Sequence, residues 1–421
     1  MKLKQLICLL LAALLLGACG SPAAPTEATE ETKPTDAWLD PVVPSDAVES
    51  SEKPEPVEDL TVPDQTAAVG GANFALDLLR GAAKPDATTI LSPYSALLAL
   101  GMAANGAGGR TLEEMEYALG AKLDDLNAWL ASCRAAEDGE VVSANSIWTR
   151  NETVQLLPEF RQTMEQKYGA EVHAGDLSVA AINEWVDSNT KGRIKKLLEQ
   201  DDPSIVTYLI NAMTFDAEWA SPYEPQSCSE GTFHASDGTE QTVTYLSGEE
   251  RGYLEVAGAT GFVKHYSGGR YSFAGLLPAE GSTPEALLEA LDGETLLQAI
   301  CNPQSKTVYT RMPKFTAATT AELKPVLERM GMQAAFTDAA DFSLLSDTPL
   351  KIDAVQQKTY LQVDESGTIG AAVTSIPMME ATAVQTEEPK TVYLTRPYLC
   401  VIFDHETQSI VFLGIVNRVD G

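Results

Sequence analysis

Residues 20–59 hold eleven Asp or Glu against two Lys, together with seven prolines and a single aromatic residue, Trp38. A segment of this composition cannot bury enough apolar surface to offset the entropy of ordering it. Its like charges repel and its prolines stiffen it, so it is expected to be a disordered, extended tether spanning residues 19–59. Folding is thereby confined to residues 60–421. No second Pro- or Ser-rich linker occurs there before residue 375, and 44% of the whole chain is hydrophobic. One large domain is therefore expected, although the length alone would allow two.

Ahead of the tether, Lys2 and Lys4 precede an unbroken apolar run from Leu6 to Leu16. This is the pattern of a signal peptide, too short to span a bilayer as a permanent helix. The run ends in Leu16-Gly17-Ala18-Cys19, which looks like a bacterial lipobox. Residues 1–18 are then removed, and Cys19 carries a diacylglycerol thioether as the chain's only membrane attachment. The expected location is extracytoplasmic, lipid-anchored at the cell membrane or secreted.

The formal net charge is -31, and it remains about -24 once residues 1–59, with eleven acids and four Lys, are set aside. Such a surface repels a phosphate backbone, so nucleic acid is excluded as a partner, and the same argument disfavours heparin-like polyanions. The domain's cysteines, Cys133, Cys228, Cys301 and Cys400, are widely scattered. Two disulfides could form after export, but nothing in the spacing demands them. Cys400 sits in the apolar run Tyr398–Phe403 and reads as core. His173, His234, His265 and His405 fall in no metal-ligand pattern, and no GxSxG elbow, P-loop or dinucleotide-type glycine fingerprint occurs. Ser366 stands beside Glu365, but no motif pairs it with a base. The chain is read as a non-enzyme with no cofactor and no metal.

Ala72–Arg80 has apolar residues at helical spacing. Ser92 caps and Pro93 opens a second helix through Met102. Ala103–Arg110 reads as a turn, and Thr111 caps the next helix with Glu114 closing a capping box. Ile182–Leu198 reads as an amphipathic helix interrupted near Gly192, and Ala321–Met332 as another helix. Strands are expected at Asn145–Trp148, Val206–Phe215, Thr232–Phe233, Gln241–Leu246, Gly261–His265, Tyr271–Leu277, Thr307–Met312, Tyr360–Val363, Val392–Leu394, Tyr398–Phe403 and Ile410–Val416. Helices come first and strands later, which favours an α+β fold over alternating βαβ units.

Several segments, in order over residues 72–417, carry a resemblance. They are Asn73-Phe74-Ala75 with Leu78; Leu91-Ser92-Pro93-Tyr94-Ser95 with Leu100-Gly101-Met102-Ala103; and Asn183 and Trp185 with Thr190, Gly192 and Ile194. Leu209-Ile210-Asn211-Ala212 follows with Phe215 and Trp219, then Glu230-Gly231-Thr232-Phe233 and Met312-Pro313-Lys314-Phe315. Leu327 with Gly331-Met332, Ala340-Asp341-Phe342-Ser343, Arg396-Pro397-Tyr398 and Phe412-Leu413-Gly414 complete it. In these the chain resembles the serpins. The resemblance implies three β-sheets with about nine helices and a reactive-centre loop held exposed in a metastable state. A serine protease of elastase-like preference, or a cysteine protease, attacks that loop and forms an acyl-enzyme. The cleaved loop then enters the main sheet as a new strand, and the stored strain distorts the protease. A monomer is implied. The alternative is a non-inhibitory serpin acting as a cleavable binding protein.

Carried over residue by residue, the resemblance places the loop hinge at Glu365, Gly367, Thr368, Gly370, Ala371, Ala372, Val373 and Thr374. It places the cleaved bond between Ala381 and Thr382, with cleavage after Met378, Met379, Val384 or Thr386 left open. Ser92, Ser95, Asn211 and Gln357 form the shutter and Trp219 the breach. Gln357 stands where inhibitory relatives usually have histidine, and Gly370 where alanine is usual. The residue chemistry is compatible with insertion. Alternate positions Thr368, Gly370, Ala372 and Thr374 are small, as the face of a strand entering a packed sheet must be. Gly367 is expected to give the pivot freedom to turn. Pro377 would remove one ladder donor late in insertion. Alanine at 381 suits a small specificity pocket.

Overall fold

The computed structural model describes residues 60–137, 139–150, 154–175, 177–201, 205, 207–368 and 388–419, all inside the unit Pro54–Gly421. Thr66 caps α1 (Ala67–Ala82), which leads into β1 (Thr89–Leu91). Ser92 then caps α2 (Pro93–Ala104), its Oγ accepting from Ser95 N at 3.3 Å. After a turn come α3 (Gly109–Leu119) and α4 (Leu123–Ala135), followed by β2 (Val141–Thr149), α5 (Pro158–Thr163), β3 (Glu171–Ala174) and α6 (Val179–Asn189). The chain then turns to strands: β4 (Thr207–Phe215), β5 (Ala217–Glu218), β6 (Cys228–His234), β7 (Glu240–Val256), β8 (Ala259–His265) and β9 (Tyr271–Leu277). Two short helices, α7 (Pro284–Ala290) and α8 (Gly293–Cys301), interrupt them before β10 (Gln304–Pro313), β11 (Phe315–Glu322) and α9 (Lys324–Arg329). The last strands are β12 (Gln356–Val363), β13 (Gly367–Thr368), β14 (Lys390–Tyr393), β15 (Tyr398–Asp404) and β16 (Ile410–Val416). The described residues thus form nine α-helices and three hydrogen-bonded sheets, an α+β fold.

The largest sheet has nine strands in the order β1-β16-β15-β9-β8-β7-β10-β14, with β6 also paired to β7. Its centre is β15 and β16, in which every residue is buried. Strands covered on both faces lose the alternation of a half-exposed strand and read as continuous apolar runs, and these two do. Helices α1 and α2 pack across β16 and carry Phe74, Leu78, Leu97 and Met102 into the same core. The other two sheets are β3-β2-β4 and β11-β12-β13-β5. A smaller apolar cluster, with Trp148, Ile182, Trp185, Val186 and Ile210, seats α6 on the three-stranded sheet.

Several local expectations change. The turn after α2 is shorter than Ala103–Arg110, because Gly109 and Arg110 already belong to α3. Thr111 does not cap α3; its N-cap is Gly108, and Thr111 Oγ1 accepts from Asp341 N at 2.9 Å. Glu114 forms no capping box either. Its carboxylate is buried and accepts from Gln333 N at 2.8 Å and Ala334 N at 2.6 Å, with Arg110 Nε at 2.6 Å. A long-range demand for two orphan amides outweighs the local cap. The helix read over Ile182–Leu198 stops at Asn189, since Lys191 (φ 51°) and Gly192 (φ 78°) are left-handed and cannot continue it. The segment Ala321–Met332 is not one helix: β11 runs through Glu322, paired with β12 from Phe315↔Val363 to Glu322↔Gln356, and only Lys324–Arg329 is helical. β-Branched Thr316, Thr319 and Thr320 favour the strand. Helices α4, α5, α7 and α8 were not anticipated. The four cysteines among the described residues are free, with Cys133 and Cys400 buried and Cys228 and Cys301 partly so.

Glu114 therefore joins α3 to the 330s, and replacing it with Ala removes the buried carboxylate that accepts from two partly buried amides. Glu114→Ala is expected to lower the unfolding free energy by about 3 kcal/mol, read as a lower urea midpoint at unchanged m-value.

Candidate functional site at the hinge and cleft

β4 pairs along its whole length with β2, and β12 along its whole length with β11. Neither ladder joins β4 to β12. Between them lies a cavity of about 440 Å³. It is lined by all of β4, by Gln356–Tyr360 of β12, by Ser92 and residues of α2 including Ser95, and by Ile194, Leu197 and Leu198 after α6. Each strand thus turns one edge of backbone donors and acceptors towards the gap, a geometry that accepts a further strand.

At one end, here called the head, the gap is closed. After β12 the chain reverses through Asp364–Ser366. Asp364 Oδ1 accepts from Ser366 N at 2.8 Å and Gly367 N at 3.2 Å, an Asx-type turn. Gly367 and Thr368 then return as β13, antiparallel to β12 at Val363↔Thr368 and to β5 at Gly367↔Glu218 and Thr368↔Ala217. A two-residue strand thus occupies the head of the gap, directly preceding residues 369–387. The neighbouring segment grips the reversal by its backbone: Trp219 N donates to Ser366 O at 2.8 Å, Tyr223 N to Glu365 O at 2.9 Å, and Trp219 Nε1 to Asp364 O at 2.9 Å.

Thr368 is fully buried, and its hydroxyl lies 2.6 Å from that of Tyr266. Burial pushes the Tyr266 hydroxyl far above the ordinary phenol value, only partly countered by the bond to Thr368, so it stays protonated. Tyr266 stacks on Trp219, with centroids 4.3 Å apart and planes 12° from parallel. On the outer side, Lys314 Nζ pairs with Glu365 at 2.7 Å. Burial raises the Glu365 pKa, but the Lys314 hydrogen bond, a backbone hydrogen bond and the lysine charge outweigh it and hold the carboxyl below its usual range.

In mid-cleft, Gln357 bonds the main chain of Ser92 twice, accepting from Ser92 N at 3.0 Å and donating to Ser92 O at 2.8 Å. Ser92 Oγ donates to Val411 O at 2.8 Å. Glutamine is long enough, and carries both donor and acceptor, to make this two-way contact from β12. Of the expected shutter residues, Ser92, Ser95 and Gln357 come together. Asn211 lines the same cavity from β4, but its amide donates to Asn145 Oδ1 at 3.0 Å rather than meeting Gln357. Trp219 lies apart, at the head.

At Gly367 the structure shows a steric demand that the sequence does not announce. Its φ is not in the left-handed region. Instead, a Cβ there would lie 2.1 Å from Ala217 O and 2.8 Å from Glu218 Cα, so only glycine allows β13 so near β5. Gly370, Ala371, Ala372, Val373, Thr374, Pro377, Ala381, Thr382 and Cys19 lie outside the described residues. Sequence reading missed Tyr266, Asp364 and Lys314 at this site. Lys314 sits in the quoted Met312-Pro313-Lys314-Phe315 segment, but nothing local ties it to Glu365. Ser272 Oγ is 2.7 Å from His265 Nδ1 and 2.8 Å from His405 Nε2, yet it is fully buried in β9 and presents no oxygen to a substrate.

A family model described as Serpin (serine protease inhibitor) matches residues 70–419. An uncharacterized serpin-like protein of Thermococcus kodakarensis is 31% identical over 367 residues, covering 83% of this chain and 85% of that one. Corticosteroid-binding globulin of Oryctolagus cuniculus is 29% identical over 382 residues, covering 84% and 96%. The crystal structure of the thermophilic serpin tengpin in its native state is similar at a TM-score of 0.77 and 36% identity, covering 88% of this chain and 98% of that chain.

A carboxyl held below its usual range stabilises the hinge above that range and loses the effect as pH falls through the lowered value. In Lys314→Met the burial that raises the Glu365 pKa acts unopposed by the lysine. Hydrogen-exchange protection at residues 364–368 is expected to be lower than in the parent at neutral pH, and no longer to fall on acidification through the carboxylate range as it does in the parent. Tyr266→Phe removes the partner of a buried hydroxyl and is expected to cost about 1–2 kcal/mol, read as a lower thermal midpoint.

Proposed function

The chain belongs to the serpin family, and on that premise we propose that it inhibits a serine protease of elastase-like preference as a suicide substrate. The family typically inhibits proteases rather than catalysing reactions. The protease serine attacks the Ala381 carbonyl, the amine of Thr382 leaves, and an acyl-enzyme forms. Residues from Ile369 onward then follow Gly367–Thr368 into the gap between β4 and β12. Each residue added satisfies the facing strand edges. The protease, still esterified to Ala381, is drawn along, and distortion of its oxyanion hole stalls deacylation. The observation that carries this reading is the unpaired β4–β12 gap with β13 already seated at its head. Small residues at Gly370, Ala372 and Thr374, on the Thr368 face, support it. The same reading takes Cys19 as the lipid attachment, residues 20–59 as the tether that holds a monomeric domain outside the cytoplasm, and a cysteine protease as the other target class.

A second reading is a non-inhibitory serpin acting as a cleavable binding protein. Pro377 and Gly370 favour it, since both weaken the strand that must form. The likeness to corticosteroid-binding globulin also keeps it open.

The test is to incubate residues 60–421 with pancreatic or neutrophil elastase and run a denaturing gel, with mass spectrometry of the released peptide. Trapping gives an SDS-stable band heavier than either partner and a peptide beginning at Thr382. Clean cleavage with full protease activity, against a panel of serine proteases, supports the second reading. Thr368→Arg would bring an unpaired charge into a fully buried position. It is expected to abolish the covalent band while leaving loop cleavage intact.

A further inference from the structure

Lys264 is a charged residue inside the aromatic wall of the head. It lies on β8 with its side chain 4% exposed, and Glu250 on β7, 15% exposed, is its ion-pair partner at 2.7 Å. A lysine is rarely buried so deeply unless paired. The other hydrogen-bond and cation–π contacts of its ammonium are all to one short segment, residues 219–223. The ammonium donates to Ser221 O at 3.0 Å, and stands 4.3 Å from the ring centre of Tyr223 and 5.4 Å from that of Trp219. One cation thus holds the segment by a main-chain carbonyl and two aromatic faces, while Glu250 holds the cation. That same segment supplies the backbone amides of Trp219 and Tyr223 and the indole N–H that grip the reversal at Asp364–Ser366. Trp219 also stacks on Tyr266, the partner of Thr368.

We propose that Lys264 and Glu250 are positioning residues for loop insertion: by clamping residues 219–223 from behind, they fix the amides and rings that seat Gly367 and Thr368 at the head of the gap. The pair touches neither the bait nor the inserted residues. It acts through the receiving segment, and it sets how readily the strand begins. The inference deepens the trapping reading and rests on it for its consequence, though the clamping itself can be read without any protease.

The experiment compares the parent with Lys264→Met, which leaves Glu250 able to reach water, and with the double change Lys264→Met and Glu250→Gln, which strands no charge. Amide hydrogen exchange is followed at Trp219, Tyr223, Gly367 and Thr368, with β15 and β16 as internal references and thermal midpoints measured alongside. Partitioning between covalent complex and cleaved product is then titrated with the protease that the parent traps. The expected result is exchange about tenfold faster at the four head amides, as loss of a charge-assisted contact implies, with the reference strands unchanged and more product cleaved per complex formed. Unchanged exchange at Trp219 and Tyr223 overturns the proposal. So does a uniform rise that follows a lowered midpoint, which marks a merely structural pair, or a head-specific rise with unchanged partitioning. A parent that is cleaved by every protease without trapping removes the trapping reading, and the exchange comparison then decides the positioning by itself.

Discussion

Two strand edges that face one another without a ladder set the terms for this domain. Backbone amides and carbonyls buried from water need partners, and a sheet normally supplies them by closing. Here β4 and β12 each have a partner on one side and the cavity on the other. What surrounds the gap can be understood as ways of living with it. Gln357 ties β12 down to α2 through the main chain of Ser92. Lys358 reaches from β12 to Glu199 at 2.9 Å and to Lys196 O at 3.0 Å in the segment after α6. The charge of Arg193 lies 3.6 Å from Asp216, just beyond β4. The post-α6 segment is therefore fastened on both banks, and the head is closed by β13. The gap is held open along its length and filled only where the strand that could fill it begins.

The parts of the fold that were legible in the sequence are those whose signal is local. Ser92-Pro93 announces a helix start by its own capping chemistry, and the unbroken apolar runs Tyr398–Phe403 and Ile410–Val416 can only be strands covered on both faces. The misreadings have one physical origin: a residue's local preference lost to a distant partner. Glu114 had the spacing of a capping box, but two amides more than two hundred residues away claimed its carboxylate. Ala321 and Glu322 had helical neighbours downstream, but the pairing of β11 with β12 kept them extended. The short helices α7 and α8 offered too few turns to stand out among strands.

The site divides in the same way. On the hinge side the sequence offers small residues at alternate positions, of which the described residues reach only Thr368. The receiving side offers no such signal. Tyr266 and Lys314 act through contacts with residues far along the chain, Asp364 makes a local turn whose purpose shows only against Trp219, and Lys264 sits among apolar and aromatic residues whose pattern says nothing of a buried charge. Gly367 shows the limit from the other direction. Its close approach to Ala217, which leaves no room for a Cβ, is visible only with the opposing strand in view.

The free cysteines carry a consequence for chemical durability. Burial raises the Cys133 thiol to about 12, Cys400 to about 12 and Cys301 to about 11. At neutral pH such groups hold far less thiolate than an exposed thiol does. Exchange and oxidation proceed through the thiolate, so while the strands stay closed these sulfurs are nearly inert even where disulfides form readily. The protection belongs to the packing and not to the residues. Any opening that lets water reach β15 or α4 returns their ordinary acidity, so the rate at which an alkylating reagent captures them becomes a clock for how often this domain breathes.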